Sequence, residues 1–232
     1  MKIESRSHQL LAVDYPLIQS CDSCIASPES IAMLANSGVL PFVMVTEEDT
    51  QFSIFEKITK IKLLTSNPFG VKLVLEKSKN YKVYCEIVTV IKNNKISVLE
   101  TDIESLSVLS ELIDDKSIQI FCRCYSLVDA KLAQSKGCDG VIMMGGESIE
   151  GEGRKSISSL LLIPHCVENL NVPIIACGGF DSGKGLAAAF SLGAQAVAME
   201  RCLASCSDAQ IIINDIVIQA CKVVNFHLAP LK

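Results

Sequence analysis

Short apolar runs alternate with longer segments of helical period along almost the whole chain. Eight runs have strand length: Leu17–Ser20, Leu40–Val45, Val71–Leu75, Ile96–Glu100, Ile118–Cys124, Gly140–Met144, Pro173–Cys177 and Ala196–Met199. They are continuous rather than alternating, as parallel strands covered on both faces should be. Helical segments follow them. Ser27–Ser37 opens on Ser-Pro-Glu, a cap residue, a first-turn proline and an early acid. Phe52–Leu64 and Asn80–Lys92 come next. Ile103–Ile113 has Thr101 or Asp102 as its cap, and Leu127–Lys136 ends at Gly137, a C′ residue. Ser158–Asn169, Gly183–Leu192 (closed by Gly193) and Asp208–Val224 complete the set. Strict alternation of this kind predicts a (β/α)8 TIM barrel, with an open doubly wound sheet as the competing arrangement. Residues 1–232 read as a single domain without a linker or a low-complexity tract.

Composition narrows the class. The 232 residues are 49% hydrophobic, enough for one large core. A formal charge of −5, no basic stripe and no Trp argue against a nucleic-acid partner. No apolar run reaches the roughly 18 residues of a membrane helix. The first residues hold no apolar signal core, so the expectation is a cytoplasmic protein with no membrane partner. The 11 cysteines then read as reduced thiols, most of them small buried hydrophobes.

Chemistry in such barrels gathers at the C-terminal ends of the strands. The seventh strand runs into Cys177-Gly178-Gly179-Phe180 and then a helix. Two glycines there let backbone N–H groups approach an anion, and the helix start adds partial positive charge. The bland alternative is a tight turn. The sixth strand ends in Met144-Gly145-Gly146-Glu147-Ser148, followed by a charged, glycine-rich loop that reads as a ligand cover or a solvated connector. Cys21, Cys24, Cys122, Cys124, Cys177, Cys202 and Cys206 map near the ends of strands 1, 5, 7 and 8. A soft-metal or redox mouth is one reading, and the abundance of cysteine is the other.

These segments carry a resemblance. Tyr15-Pro-Leu-Ile-Gln19, Ser27-Pro-Glu29, Asn36-Ser-Gly38, Asn67-Pro-Phe-Gly-Val71, Gly145-Gly-Glu147, Pro173-Ile-Ile-Ala-Cys-Gly-Gly179, Gly185-Leu-Ala-Ala-Ala189 and Leu192-Gly-Ala194 resemble, in order, the motifs of nitronate monooxygenases. The flavin-type enoyl-acyl-carrier-protein reductases are relatives of that family. The resemblance implies a barrel that holds FMN and oxidises a small molecule through it, or reduces an enoyl thioester. It places the cofactor against Gln19, Lys72, Gly145, Gly146, Gly178, Gly179, Phe180, Glu200 and Arg201. A flavin supplies the electron chemistry, while the protein supplies placement, electrostatics and often one base.

The pattern also breaks. The family loop Gly-Gly-Glu-Ala-Gly-Gly-His is here Gly145-Gly146-Glu147-Ser148-Ile149-Glu150-Gly151, so Gly151 stands where the catalytic histidine belongs. His8, His165 and His227 lie elsewhere and read as surface or structural residues. The catalytic group is therefore unassigned, with Lys72, Arg123 and Glu150 as candidates. Asp22, Ser23, Lys72 and Met144 replace the Met-Ala pair, Asn and Gln of the family. The Gly-Thr that ends its eighth strand is replaced by Met199-Glu200-Arg201, one residue shorter. A carboxylate about 4 Å from a phosphate charge costs on the order of 1–4 kcal/mol. Three readings follow: an FMN-dependent oxidoreductase of nitronate monooxygenase type with a degenerate site; a non-catalytic barrel that has lost FMN and acts as a binding or assembly partner, indifferent to Gly178→Asp; and a cysteine-based metal or redox protein. A short chain fits an open mouth or one covered by a neighbouring subunit in a homodimer.

Overall fold

The computed structural model describes residues 11–19, 27–75, 81–149, 157–200 and 209–224. Eight parallel strands close on themselves in sequence order, β1 pairing with both β2 and β8. They are β1 (Leu17–Gln19), β2 (Leu40–Thr46), β3 (Gly70–Val74), β4 (Val98–Thr101), β5 (Gln119–Cys124), β6 (Gly140–Met144), β7 (Ile174–Cys177) and β8 (Ala196–Met199). The helices are α1 (Pro28–Asn36), α2 (Gln51–Leu64), α3 (Tyr81–Asn93), α4 (Ile103–Leu112), α5 (Leu127–Ser135), α6 (Ser159–Asn169), α7 (Gly183–Ser191) and α8 (Ala209–Val224). The expected (β/α)8 TIM barrel is the fold, with element ends shifted by one or two residues.

Cap chemistry sets the helix starts. The side chains of Ser27, Thr50, Asp102, Ser126 and Ser182 each accept a backbone N–H in the first turn of the helix that follows. Asp102, not Thr101, is thus the cap of α4. Gly137 and Gly193 hold φ of +85° and +97° just beyond α5 and α7, the left-handed exit expected of a C′ glycine.

Strand alternation divides the apolar residues into two cores. One fills the space between strands and helices and includes Leu17, Val45, Val71 and Leu73 with Ile54, Ile58 and Ile61 of α2. The other lines the barrel interior: Ile18, Leu40, Phe42, Phe121, Ile142 and Ile175 belong to it, and the segment entering β1 adds Leu11 and Val13. Two rings fill the bore because the neighbouring strand offers glycine. A Cβ on Gly70 would collide with the edge of the Phe42 ring, and one on Gly140 would lie 2.6 Å from Phe121. Among the described residues no helix is long and apolar enough to cross a membrane.

Candidate functional site

Inward alternation sends three charged side chains into the bore at the C-terminal ends of β3, β4 and β5. Lys72 is 2% exposed, Glu100 0% and Arg123 8%. Lys72 Nζ lies 3.3 Å and Arg123 Nε 3.5 Å from the same oxygen, Glu100 Oε1. Two of the catalytic candidates, Lys72 and Arg123, therefore face a carboxylate of the chain itself. Buried charges persist only when paired, and Glu100 provides that pairing. Sequence reasoning missed Glu100, although an acid at the end of an otherwise apolar strand was the available signal.

The ends of β6, β7 and β8 are joined by carboxylates. Glu200 is 3% exposed. Its Oε1 accepts the Ser148 hydroxyl at 2.5 Å, and the Ile149 N–H reaches Oε1 at 3.1 Å and Oε2 at 3.0 Å. The N–H of Glu200 itself donates to Asp181 Oδ1 at 3.0 Å. Glu147 accepts the hydroxyl of Ser158 and both the N–H and hydroxyl of Ser159 at the start of α6. Backbone carbonyls take further donors: Gly145 N–H goes to Cys177 O and Gly146 N–H to Ile157 O.

Burial alone would raise the Glu147 carboxyl, but the hydrogen bonds from Ser158 and Ser159 outweigh it and hold the pKa at about 2, below the ordinary 4.5. A depressed folded-state value stabilises above the unfolded pKa and is lost as pH falls through the folded one. Glu147→Gln is expected to flatten the dependence of stability on pH between about pH 5 and pH 2. Urea unfolding at a series of pH values reads this directly. The effect is modest because the group is solvent-accessible and screened, and an unaltered slope counts against the assignment.

The glycine pair is built for close packing. Gly178 and Gly179 have φ of +99° and +83°. A Cβ on Gly178 would stand 2.9 Å from Ser148 N and 3.2 Å from Gly145 O, and one on Gly179 would stand 3.3 Å from Glu147 Cβ. Gly178→Asp thus strains the backbone and collides with the β6 loop. It reports on folding, not on the presence of a ligand. Gly145 is likewise a packing residue, since its Cα faces the first residue of α6, with Ser159 Cα 2.8 Å from a built Cβ.

The remaining expected contacts are scattered. Gln19 is buried, and its Nε2 donates to Met199 O at 3.0 Å across β1 and β8, while Oε1 has no hydrogen-bond partner among the described residues. The Phe180 ring is buried in the core between strands and helices. Glu150, Gly151 and Arg201 lie outside the described residues, as do Cys21, Cys24, Cys202 and Cys206.

The remaining thiols do not share a mouth. Cys122 and Cys124 of β5 face the outer core, whereas Cys177 of β7 faces the bore. Hydrogen bonding with Cys122, then burial, pushes the Cys124 thiol far up, and burial pushes Cys138 up to about 12. Such thiols stay protonated near neutrality and are poor ligands. Among the described residues, no group of three or more His, Cys, Asp or Glu side chains is placed to hold a metal ion.

Fold and rim define a (β/α)8 barrel with its polar groups gathered at the C-terminal ends of the strands. The profile of the nitronate monooxygenase family matches residues 4–226, and the chain belongs to that family. Among its relatives is a (3aS,4S,5R,7aS)-5-hydroxy-7a-methyl-1-oxo-octahydro-1H-indene-4-carboxyl-CoA dehydrogenase of Rhodococcus jostii (strain RHA1), 29% identical over 82% of this chain and 52% of that protein. A probable nitronate monooxygenase of Staphylococcus aureus (strain MSSA476) is 25% identical over 84% of this chain and 66% of that protein. The chain thus spans between half and two thirds of the length of these relatives. Similar solved structures include FabK from Thermotoga maritima, with a TM-score of 0.72 and 24% identity over 86% of this chain and 62% of that one. Nitroalkane oxidase from Streptomyces ansochromogenes gives 0.70 and 19% over 84% and 67%. Both likenesses bear on the fold alone.

The resemblance implies FMN with its phosphate between the glycine pair and the end of β8. The residues present do not fit that group. The Glu200 carboxylate holds the donors of the β6 loop, and Asp181 holds the N–H at the end of β8. A phosphate placed there would meet two negative charges and lose those donors, each contact of like charge costing on the order of 1–4 kcal/mol.

Proposed function

We propose that this chain is a nitronate monooxygenase-family barrel that works as a binding or assembly partner and does not hold FMN in the family manner. The observation that carries the reading is the set of hydrogen bonds by which Glu200 and Asp181 take up Ser148 Oγ–H and the N–H groups of residues 149 and 200. Donors held by the chain's own carboxylates are not offered to a ligand's phosphate. The Lys72–Glu100–Arg123 cluster supports the same reading, because charge that would serve a bound reactant is committed to a buried carboxylate.

The competing reading is an FMN-dependent oxidoreductase acting on a small-molecule substrate, and family membership favours it. Purified protein separates the two. The expected result is a colourless preparation without a flavin absorbance band. Titration with FMN is expected to leave flavin fluorescence unquenched beyond simple dilution. Yellow protein carrying flavin near one per chain, or saturable quenching, would establish the oxidoreductase reading instead.

A further inference from the structure

We propose that the cleft at the N-terminal end of the barrel, between the turns that lead into β3 and β4, binds the phosphate group of a small phosphomonoester through Lys62 and Lys95. It lies at the opposite end of the strands from the rim described above, so it stands whether or not that rim holds a cofactor.

The cleft has a volume of about 340 Å³, and Lys62, Thr65, Ser66, Asn67, Lys95 and Ser97 are among its lining residues. Its walls are fixed. On one side the Thr65 hydroxyl donates to Asn36 Oδ1 at 2.6 Å, and Asn67 Nδ2 reaches the same oxygen at 3.1 Å. The Asn67 N–H donates to Thr65 Oγ1 at 3.0 Å. On the other side the Ile96 N–H bonds Ile91 O and the Lys95 N–H bonds Lys92 O, which ends α3 in a Schellman turn. Lys62 joins the two walls by donating to Asn94 O.

Lys95 is the telling residue. It occupies the C′ position of that turn with φ of +50°. The same hydrogen-bond pattern ends α5 and α7, and there the chain uses Gly137 and Gly193. A residue with a Cβ is disfavoured in this conformation, and Lys95 is exposed, so burial does not repay the strain. Strain held at an exposed lysine points to a use for its ammonium. Partial burial and then the Lys95 charge push the Lys62 pKa down from its ordinary value. Neither lysine is paired with a carboxylate among the described residues. Two cations set together in a cleft favour an anion between them. A phosphate carries nearly two charges near neutrality and three acceptor oxygens, so it matches two ammoniums and the Ser66 and Ser97 hydroxyls better than a carboxylate does. The cleft is larger than one phosphate, and its polar lining suits a hydroxylated body.

The test titrates glycerol phosphate at constant ionic strength, read by thermal unfolding and calorimetry. Wild type is expected to gain about 3–6 °C in melting temperature at a concentration about tenfold above the dissociation constant. Lys62→Gln and Lys95→Gly should each weaken binding by at least about tenfold. Lys131→Gln, which removes a positive charge from the exposed face of α5, should bind as wild type does. Without ligand, Lys95→Gly should melt no lower than wild type, because glycine suits the turn. Wild type indifferent to glycerol phosphate overturns the inference, as does Lys95→Gly binding like wild type or Lys131→Gln losing as much as Lys62→Gln. A lower melting temperature for unliganded Lys95→Gly also overturns it, since the lysine would then serve the fold. Vesicles rich in phosphatidic acid are expected not to sediment the protein; sedimentation without a response to glycerol phosphate would assign the cleft to a lipid surface instead.

Discussion

Replacing Glu100 by glutamine is expected to cost about 3–5 kcal/mol of stability, the penalty of removing one member of a buried charge cluster. The geometry makes the effect large. Lys72 and Arg123 approach one carboxylate oxygen from the two flanking strands, at 3.3 and 3.5 Å, inside the bore. Glutamine keeps the shape and removes the charge, so two cations remain where water screens little. At about 2–4 °C per kcal/mol for a chain of this size, the melting temperature should fall by about 6–20 °C. The triple substitution Lys72→Met, Glu100→Leu, Arg123→Met should recover most of that loss, since an apolar cluster of similar volume dispenses with desolvation altogether. Chemical denaturation of the two variants decides the matter. A loss below about 1 kcal/mol for Glu100→Gln would show that solvent reaches the cluster.

Gly145→Ala should be about as damaging, for steric reasons. The new Cβ would lie 2.8 Å from Ser159 Cα and collide with the Ser159 hydroxyl. That hydroxyl shares its one proton between two acceptors, Glu147 Oε2 and Gly178 O, and the backbone behind it is the first turn of α6. Overpacking costs about 1–3 kcal/mol, and a displaced buried hydrogen-bonding group costs about 1–3 kcal/mol more. The expected total is about 2–6 kcal/mol, measured by urea unfolding. Ser159→Gly in the same chain removes the hydroxyl and Cβ and should restore part of the loss. An additive double variant would place the strain elsewhere.

Much of the architecture was legible in the sequence, and particular residues show why. Ser27-Pro-Glu announces α1 because a hydroxyl cap, a fixed proline φ and an early acid are local requirements of a helix start. Gly137 and Gly193 mark exits because a left-handed residue is disfavoured for any side chain with a Cβ. The uninterrupted apolar runs at β6 and β8 require cover on both faces, and eight of them in alternation leave few arrangements open.

The site was less legible. Gly145, Gly178 and Gly179 were identified as special, but spacing does not distinguish a glycine that meets a cofactor from one that meets Ser148 or Ser159. Which core the Phe180 ring joins was not legible from its place after the glycine pair; it packs between strands and helices. Cys122, Cys124 and Cys177 all lie toward the C-terminal ends of strands, yet strand alternation puts the first two and the third on opposite faces of the barrel wall.

The sequence by itself determined the order of elements, their caps and the closed eight-stranded wall, because these follow from periodicity and from the backbone needs of single residues. Only the tertiary structure decided that Lys72, Glu100 and Arg123 meet, and that Glu200 reaches a loop 51 residues earlier in the chain. Those pairings depend on register between strands and on which face each side chain takes in a closed barrel. A shift of one residue in either would have parted the same charges.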